Sequence, residues 1–271
     1  ERGVALDGIA GTGPGGRIKA RDLPRGTAGD RPQDVPVVLL HGFGADRTSW
    51  HWLRALLTGP AIALDLPGHG GRTDRQVLGL ADIVEDLGDQ LDALGLEEVH
   101  LVGHSLGGAA ALALAASGRV SVRSMVLIAP AGLGASVSRA FTRSLLEAPD
   151  EAAMQSVLGG MVADATRLPS GLAAATLRRM DTGGARAALT ALEAALFADG
   201  DGLDLRAALG RLPCPIRVIW GRADRVIPVP PGIALPGQVA LHLVDAVGHA
   251  PHLESPDLVA RLISETRRSA P

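Results

Sequence analysis

Val99-His100-Leu101-Val102-Gly103-His104-Ser105-Leu106-Gly107-Gly108-Ala109-Ala110-Ala111-Leu112 is the stretch on which the reading of the chain turns. Residues 99–103 form a short apolar run, residues 108–112 favour helix, and a serine stands between them with glycine two positions to either side. A strand that passes into a helix through so tight a turn has no room for a side chain at those flanking positions. The turn lifts the serine hydroxyl above the sheet and aims the N-terminus of the following helix at it, the context a nucleophile elbow requires. A hydroxyl at neutral pH needs a base within hydrogen-bond reach, and the base needs an acid to fix its tautomer. His249, after the last apolar strand pattern, and Asp224, just beyond the strand pattern ending at Trp220, are placed for those roles. His252 and Asp245 are their local competitors.

Outward from this turn the chain alternates strand and helix patterns. Val37-Val38-Leu39-Leu40, Ala61-Ile62-Ala63-Leu64, Met125-Val126-Leu127-Ile128, Ile216-Arg217-Val218-Ile219 and Leu241-His242-Leu243-Val244 are short runs suited to strands buried on both faces. Leu80, Ile83, Val84, Leu87, Leu91 and Leu94 recur at three- and four-residue steps, one apolar helix face. Such alternation predicts an α/β fold, a mostly parallel sheet flanked by helices. Ser255 and Pro256 predict the N-cap and first position of a final helix. Between about Ser136 and Asp201 no strand pattern occurs. Ala- and Leu-rich segments there, divided by Pro149, Gly159-Gly160, Pro169 and Gly183-Gly184, predict a helical lid inserted between two strands.

Residues 36–271 resemble the α/β-hydrolase family along their whole length. His41-Gly42-Phe43-Gly44 resembles the family's oxyanion loop, and Asp65-Leu66-Pro67-Gly68-His69-Gly70 the exit of its fourth strand. The segments 220–228 and 248–252 resemble those that deliver the acid and the histidine, and the chain order Ser105, Asp224, His249 is the family's order. The resemblance implies Ser105 as nucleophile, His249 as base and Asp224 as its partner. The oxyanion donors would be the N–H of Leu106, at a helix start, and that of Phe43, with Gly44 as the alternative. His41, His69, His104 and Asp65 read as structural. Arg139, Arg143, Arg178 and Arg179 in the lid read as a solvated helix face, with nucleotide phosphates as the competing reading.

Residues 1–35 are rich in Gly, Arg and Asp and carry too few large apolar groups for a core. Gly11-Thr12-Gly13-Pro14-Gly15-Gly16 matches a dinucleotide pattern formally, but no βαβ unit surrounds it. Residues 3–23 instead resemble the peripheral subunit-binding domain of 2-oxo-acid dehydrogenase-type complexes, starting about one helix late. That resemblance implies contact with dihydrolipoyl dehydrogenase through Arg17, Lys19 and Arg21. A subunit-binding remnant plus linker (1–35) before an α/β-hydrolase domain (36–271) is similar to the acyltransferase components of acetoin dehydrogenase complexes. The expected reaction is then acetyl transfer from dihydrolipoamide to coenzyme A. The lipoyl group would sit on a further upstream domain, making this a truncated or processed chain. The alternative is a carboxylester or carbon–carbon bond hydrolase with water as acceptor.

Composition narrows the field further. The 271 residues are 46% apolar, enough for a sizeable core, and the net charge of −3 offers no pull toward nucleic acid or anionic membrane. Cys214 is the sole cysteine, which predicts a packed thiol and a reducing, cytoplasmic setting. No apolar run approaches the ~20 residues of a membrane span. No Cys, His and carboxylate set has metal-ligand spacing, so the triad chemistry is expected to need no bound cofactor.

Overall fold

The computed structural model describes residues 35–75, 77–197 and 203–271, within the compact unit Val35–Pro271. Arg17, Lys19 and Arg21 lie outside the described residues, as does the expected lid boundary at Asp201. Six strands form one sheet: β1 (Val37–Leu40), β2 (Ala61–Leu64), β3 (Glu98–His104), β4 (Ser121–Ile128), β5 (Ile216–Gly221) and β6 (Val239–Val244). Their order is β2-β1-β3-β4-β5-β6, and every neighbouring pair is parallel.

Parallel strands need helical crossovers, and the helices cover both faces. Alternate side chains of each strand point to opposite sides. Val38, Leu40, Leu101, Met125, Leu127 and Val218 join one apolar cluster with α2 (Leu80–Ala93) and α3 (Leu106–Ser117). Val37, Leu39, Val102, Val126 and Ile219 join another with α1 (His51–Leu56) and α10 (Pro256–Arg268). All four residues of β1 are fully buried, each such aliphatic side chain contributing about 1.5–3 kcal/mol.

Between β4 and β5 the chain forms α4 (Arg139–Glu147), α5 (Glu151–Met161), α6 (Leu172–Met180), α7 (Ala185–Phe197) and the short α8 (Arg206–Leu209). Ser138 and Asp150 cap α4 and α5 by accepting from the amides of Phe141 and Ala153. A short α9 (Pro251–Glu254) precedes α10. No helix among the described residues is long and apolar enough to cross a membrane.

Four details differ from expectation. Gly159 and Gly160 lie inside the last turn of α5 rather than between helices. Leu94 is 50% exposed: it is the C-cap of α2, just past the last helical residue Ala93. Ser255 occupies the N-cap of α10, with Pro256 at the first position, but its hydroxyl makes no capping bond. The fourth strand begins at Ser121, four residues before its apolar run.

Candidate active site

In a parallel sheet all strands end on one edge, and side chains from several loops meet there. The loops leaving β1, β3, β5 and β6 bring together the oxyanion-type loop, Ser105, Asp224 and His249. Ser105 sits between β3 and α3 with φ 54° and ψ −118°, a left-handed conformation strained for any residue with a side chain. Its neighbours explain how that strain is held. A Cβ on Gly103 would lie 2.2 Å from the carbonyl oxygen of Gly107, and one on Gly107 the same distance from that of Leu40. The elbow thus leans directly on β1, and its N–H donates to Ile128 of β4 at 3.0 Å.

Asp224 is buried and holds four donors. Its Oδ1 accepts the amides of Val226 and Ile227 at 2.8 and 2.9 Å, and its Oδ2 accepts the Trp220 indole N–H at 3.1 Å. The fourth is His249 Nδ1–H, at 2.8 Å from Oδ2. That bond orients the ring and favours the tautomer with its proton on Nδ1. The two loops also pack backbone to backbone: Ala223 N–H donates to Val247 at 2.9 Å, and a Cβ on Gly221 would lie 2.1 Å from the carbonyl oxygen of Gly248. Asp245 lies apart, 87% exposed and paired with Arg222. Ser105 and His249 line the same cavity, but the hydrogen bond from Ser105 Oγ to the imidazole is not closed. Such bonds tighten when substrate fills the site.

The loop after β1 is held by His41. Its Nε2 accepts the Leu66 amide at 3.0 Å, so its Nδ1–H donates to Gly42 O at 2.9 Å. That carbonyl also accepts Ala45 N–H at 3.2 Å. A trans peptide directs its N–H opposite its C=O, so both bonds turn the Phe43 N–H away from His41 and Ala45. Phe43 and Leu106 both line the cavity, and Leu106, as first residue of α3, has no intrahelical acceptor for its N–H. Gly42 packs against the elbow, a Cβ there lying 3.1 Å from that of Ser105.

Three further imidazoles surround His249 and the loop. His104 Nε2–H donates to the His249 carbonyl at 2.8 Å, and its ring lies 4.5 Å from that of His252 with the planes tilted by 53°. Burial, then the neighbouring His252 and His249, pushes His104 well below the usual histidine range. Burial and His249 lower His252 to about 3. His41 and His69 are lowered as well, chiefly by burial. These rings are neutral packing groups. Asp65 accepts the amides of Arg47 at 2.8 Å and Gly71 at 3.1 Å, bracing two loops.

Above Ser105 lies a cavity of about 260 Å³, roofed by Phe141 and Leu145 of α4, Leu158 and Met161 of α5, Leu172 of α6 and Phe197 of α7. Arg179 of α6 is not a solvated side chain: it donates to Gly44 O at 3.1 Å and Asp46 at 3.2 Å, tying the lid to the oxyanion-type loop. Arg139 pairs with the buried Glu193, while Arg143 and Arg178 are exposed. His252, the competitor to His249 in sequence, lines the cavity, while the sequence reading missed the Trp220 indole and a bridging role of Glu254. Only the Trp220 partner had a local signal, an indole four residues before the acid.

A fold and a site of this kind define a class, and the sequence matches it: the model of the alpha/beta hydrolase family fits residues 37–262, and the chain belongs to that family. The chain is 34% identical over 230 residues to the dihydrolipoyllysine-residue acetyltransferase component of the acetoin cleaving system of Pseudomonas putida, covering 83% of this chain and 61% of that protein. It is also 30% identical to a 2-succinyl-6-hydroxy-2,4-cyclohexadiene-1-carboxylate synthase of Klebsiella pneumoniae, covering 84% of this chain and 92% of the relative. Among solved structures, a meta-cleavage product hydrolase of Pseudomonas fluorescens superposes with a TM-score of 0.77 at 24% identity, over 87% of this chain and 91% of the other. The chain therefore spans about three-fifths of the acetyltransferase component it matches.

Proposed function

We propose that this chain catalyses serine-dependent acyl transfer, from acetyl-dihydrolipoamide to coenzyme A, as part of an acetoin dehydrogenase-type complex. The observation that carries the chemistry is the strained Ser105 at its elbow, sharing one cavity with an imidazole already oriented by Asp224 at 2.8 Å. Ser105 Oγ attacks the thioester carbonyl while His249 Nε2 takes its proton. The N–H groups of Leu106 and Phe43 receive the oxyanion, each such donor being worth roughly 3–4 kcal/mol. Collapse of the tetrahedral intermediate expels the dihydrolipoyl thiolate, which takes the proton from His249. The coenzyme A thiol then gives its proton to His249, attacks the acyl-enzyme, and releases Ser105 reprotonated.

Similarity to the P. putida dihydrolipoyllysine-residue acetyltransferase component supports acetyl transfer involving a dihydrolipoyl group. Partner contact falls to Arg17, Lys19 and Arg21, with dihydrolipoyl dehydrogenase as partner. One feature favours hydrolysis instead: the cavity is mainly apolar and larger than a two-carbon acyl group needs, which suits a bulkier ester or carbon–carbon substrate with water as acceptor. The two readings separate on supplying acetyl-dihydrolipoamide with and without coenzyme A and quantifying acetyl-coenzyme A against acetate. Acyl transfer predicts acetyl-coenzyme A as the main product and little turnover without the acceptor. Acetate released equally in both conditions would establish the hydrolase reading.

A further inference from the structure

The backbone of His249 is held by the lid. Its N–H donates to the carbonyl of Met161, the last residue of α5, at 2.7 Å. One residue earlier, Gly248 N–H donates to Oε1 of Glu254 at 2.7 Å. The other oxygen of the same carboxyl group, Oε2, accepts Ala163 N–H, just beyond α5, at 2.8 Å. Glu254 is buried, 7% exposed. Both its oxygens act as acceptors, one toward the His249 loop and one toward the lid. The contact is close enough to exclude any side chain at Gly248, where a Cβ would lie 2.6 Å from Met161 O and 2.8 Å from Ala163 N.

On its other side Met161 lines the cavity, as does Leu158 one turn back. One end of α5 is thus both a wall of the substrate cavity and a support of the imidazole. Asp224 holds the ring of His249, but nothing in that bond fixes where the loop carrying the ring stands relative to the lid. The His249–Met161 backbone bond and the carboxylate bridge together do, and the bridge is the part a side chain supplies. Misplacing a catalytic group by about 1 Å costs ~100-fold in rate, so a bridge that sets this distance bears on turnover directly.

We propose that Glu254 is a positioning residue: its carboxylate couples the His249 loop to the α5 wall of the cavity, so that the lid's position sets the placement of the base. This rests on the reading of Ser105 and His249 as nucleophile and base.

The test is a double-mutant cycle of Glu254→Gln and Ala163→Pro, with circular dichroism to establish folding. The glutamine keeps the volume but turns an amide donor against one of the two N–H groups. The proline removes the lid-side donor and sets a ring carbon in its place against the carboxylate and Gly248, so folding is checked before rates are read; Val162 before it already has the extended conformation (φ −110°, ψ 160°) that a following proline prefers. Each variant should lower the rate of Ser105 acylation, read from fluorophosphonate labelling and from the burst with p-nitrophenyl acetate, at least tenfold while KM stays within about threefold. The double variant should be no slower than the slower single, because both cut one link. Should Ala163→Pro fail to fold, the low-field proton resonance of His249 Nδ1–H decides, and Glu254→Gln should shift or broaden it. Folded Glu254→Gln protein with the wild-type labelling rate and an unmoved resonance would overturn the proposal, as would rate losses that simply multiply. Wild-type protein that does not label at Ser105 would instead refute the functional reading on which the proposal rests.

Discussion

Asp224 Oδ2 and His249 Nδ1 stand 2.8 Å apart, both side chains sealed from solvent, with the indole of Trp220 donating to the same oxygen. The carboxylate is out of contact with solvent and, with four donors on it, has no freedom to turn away. Asp224→Asn should therefore fold, since its Oδ1 can still accept Val226 and Ile227. It would present an amide donor to the imidazole and favour the wrong tautomer. Turnover of p-nitrophenyl acetate should drop by roughly 10⁴-fold with KM little changed. A variant within tenfold of wild type would show that the acid is not needed.

The lid should govern acyl preference. Leu158 is 6% exposed and lines the cavity, so Leu158→Ala should enlarge the cavity at a cost of about 2–5 kcal/mol in stability. Across a series of p-nitrophenyl esters, kcat/KM for longer chains relative to acetate should rise by roughly tenfold, the scale of discrimination by one or two methylenes. An unchanged chain-length profile would place the acyl group elsewhere.

Stability should fall on the acid side of neutrality. The folded protein holds His252 at about 3, and His69 and His104 well below the usual range, all mainly through burial. In the unfolded chain each titrates near 6.5. The unfolded state thus binds more protons below that pH. The contribution of these neutral rings is complete above 6.5 and is lost progressively toward the folded values, by up to about 1.4 kcal/mol per pH unit and histidine. Urea midpoints measured from pH 7.5 to 4.5 should decline, and His252→Phe, which keeps a ring against Trp50 and His104, should decline less steeply. Parallel slopes would show that His252 does not contribute.

Much of this site was legible because its signals are local. The strand, the glycines around Ser105 and the helix former after them are contiguous, and steric exclusion at Gly103 and Gly107 is a property of a few adjacent residues. Strands buried on both faces likewise declare themselves as apolar runs. What escaped involves partners far apart in sequence. Glu254 meets Ala163 across 91 positions, and nothing near either residue announces the other. Arg179 is one of several lid arginines in sequence, and only folding brings it to Gly44 and Asp46. Leu94 fits the periodicity of α2, yet the helix stops one residue short of it.

The partner reading makes its own forecast. Arg17, Lys19 and Arg21 would present positive charge to an acidic surface, so a longer form carrying the complete subunit-binding module should associate with dihydrolipoyl dehydrogenase, more slowly as salt rises. Calorimetry at low and physiological ionic strength measures this. No affinity at low salt would remove the complex from the account and favour the hydrolase.

The central claim is that Ser105 becomes acylated. Incubating the protein with p-nitrophenyl acetate, quenching in acid within the burst and mapping peptides by mass spectrometry tests it directly. The account predicts an added acetyl group on Ser105, abolished in Ser105→Ala and strongly reduced in His249→Ala, with the fold intact in both. An acetyl group on another residue, or turnover retained in Ser105→Ala, would contradict it.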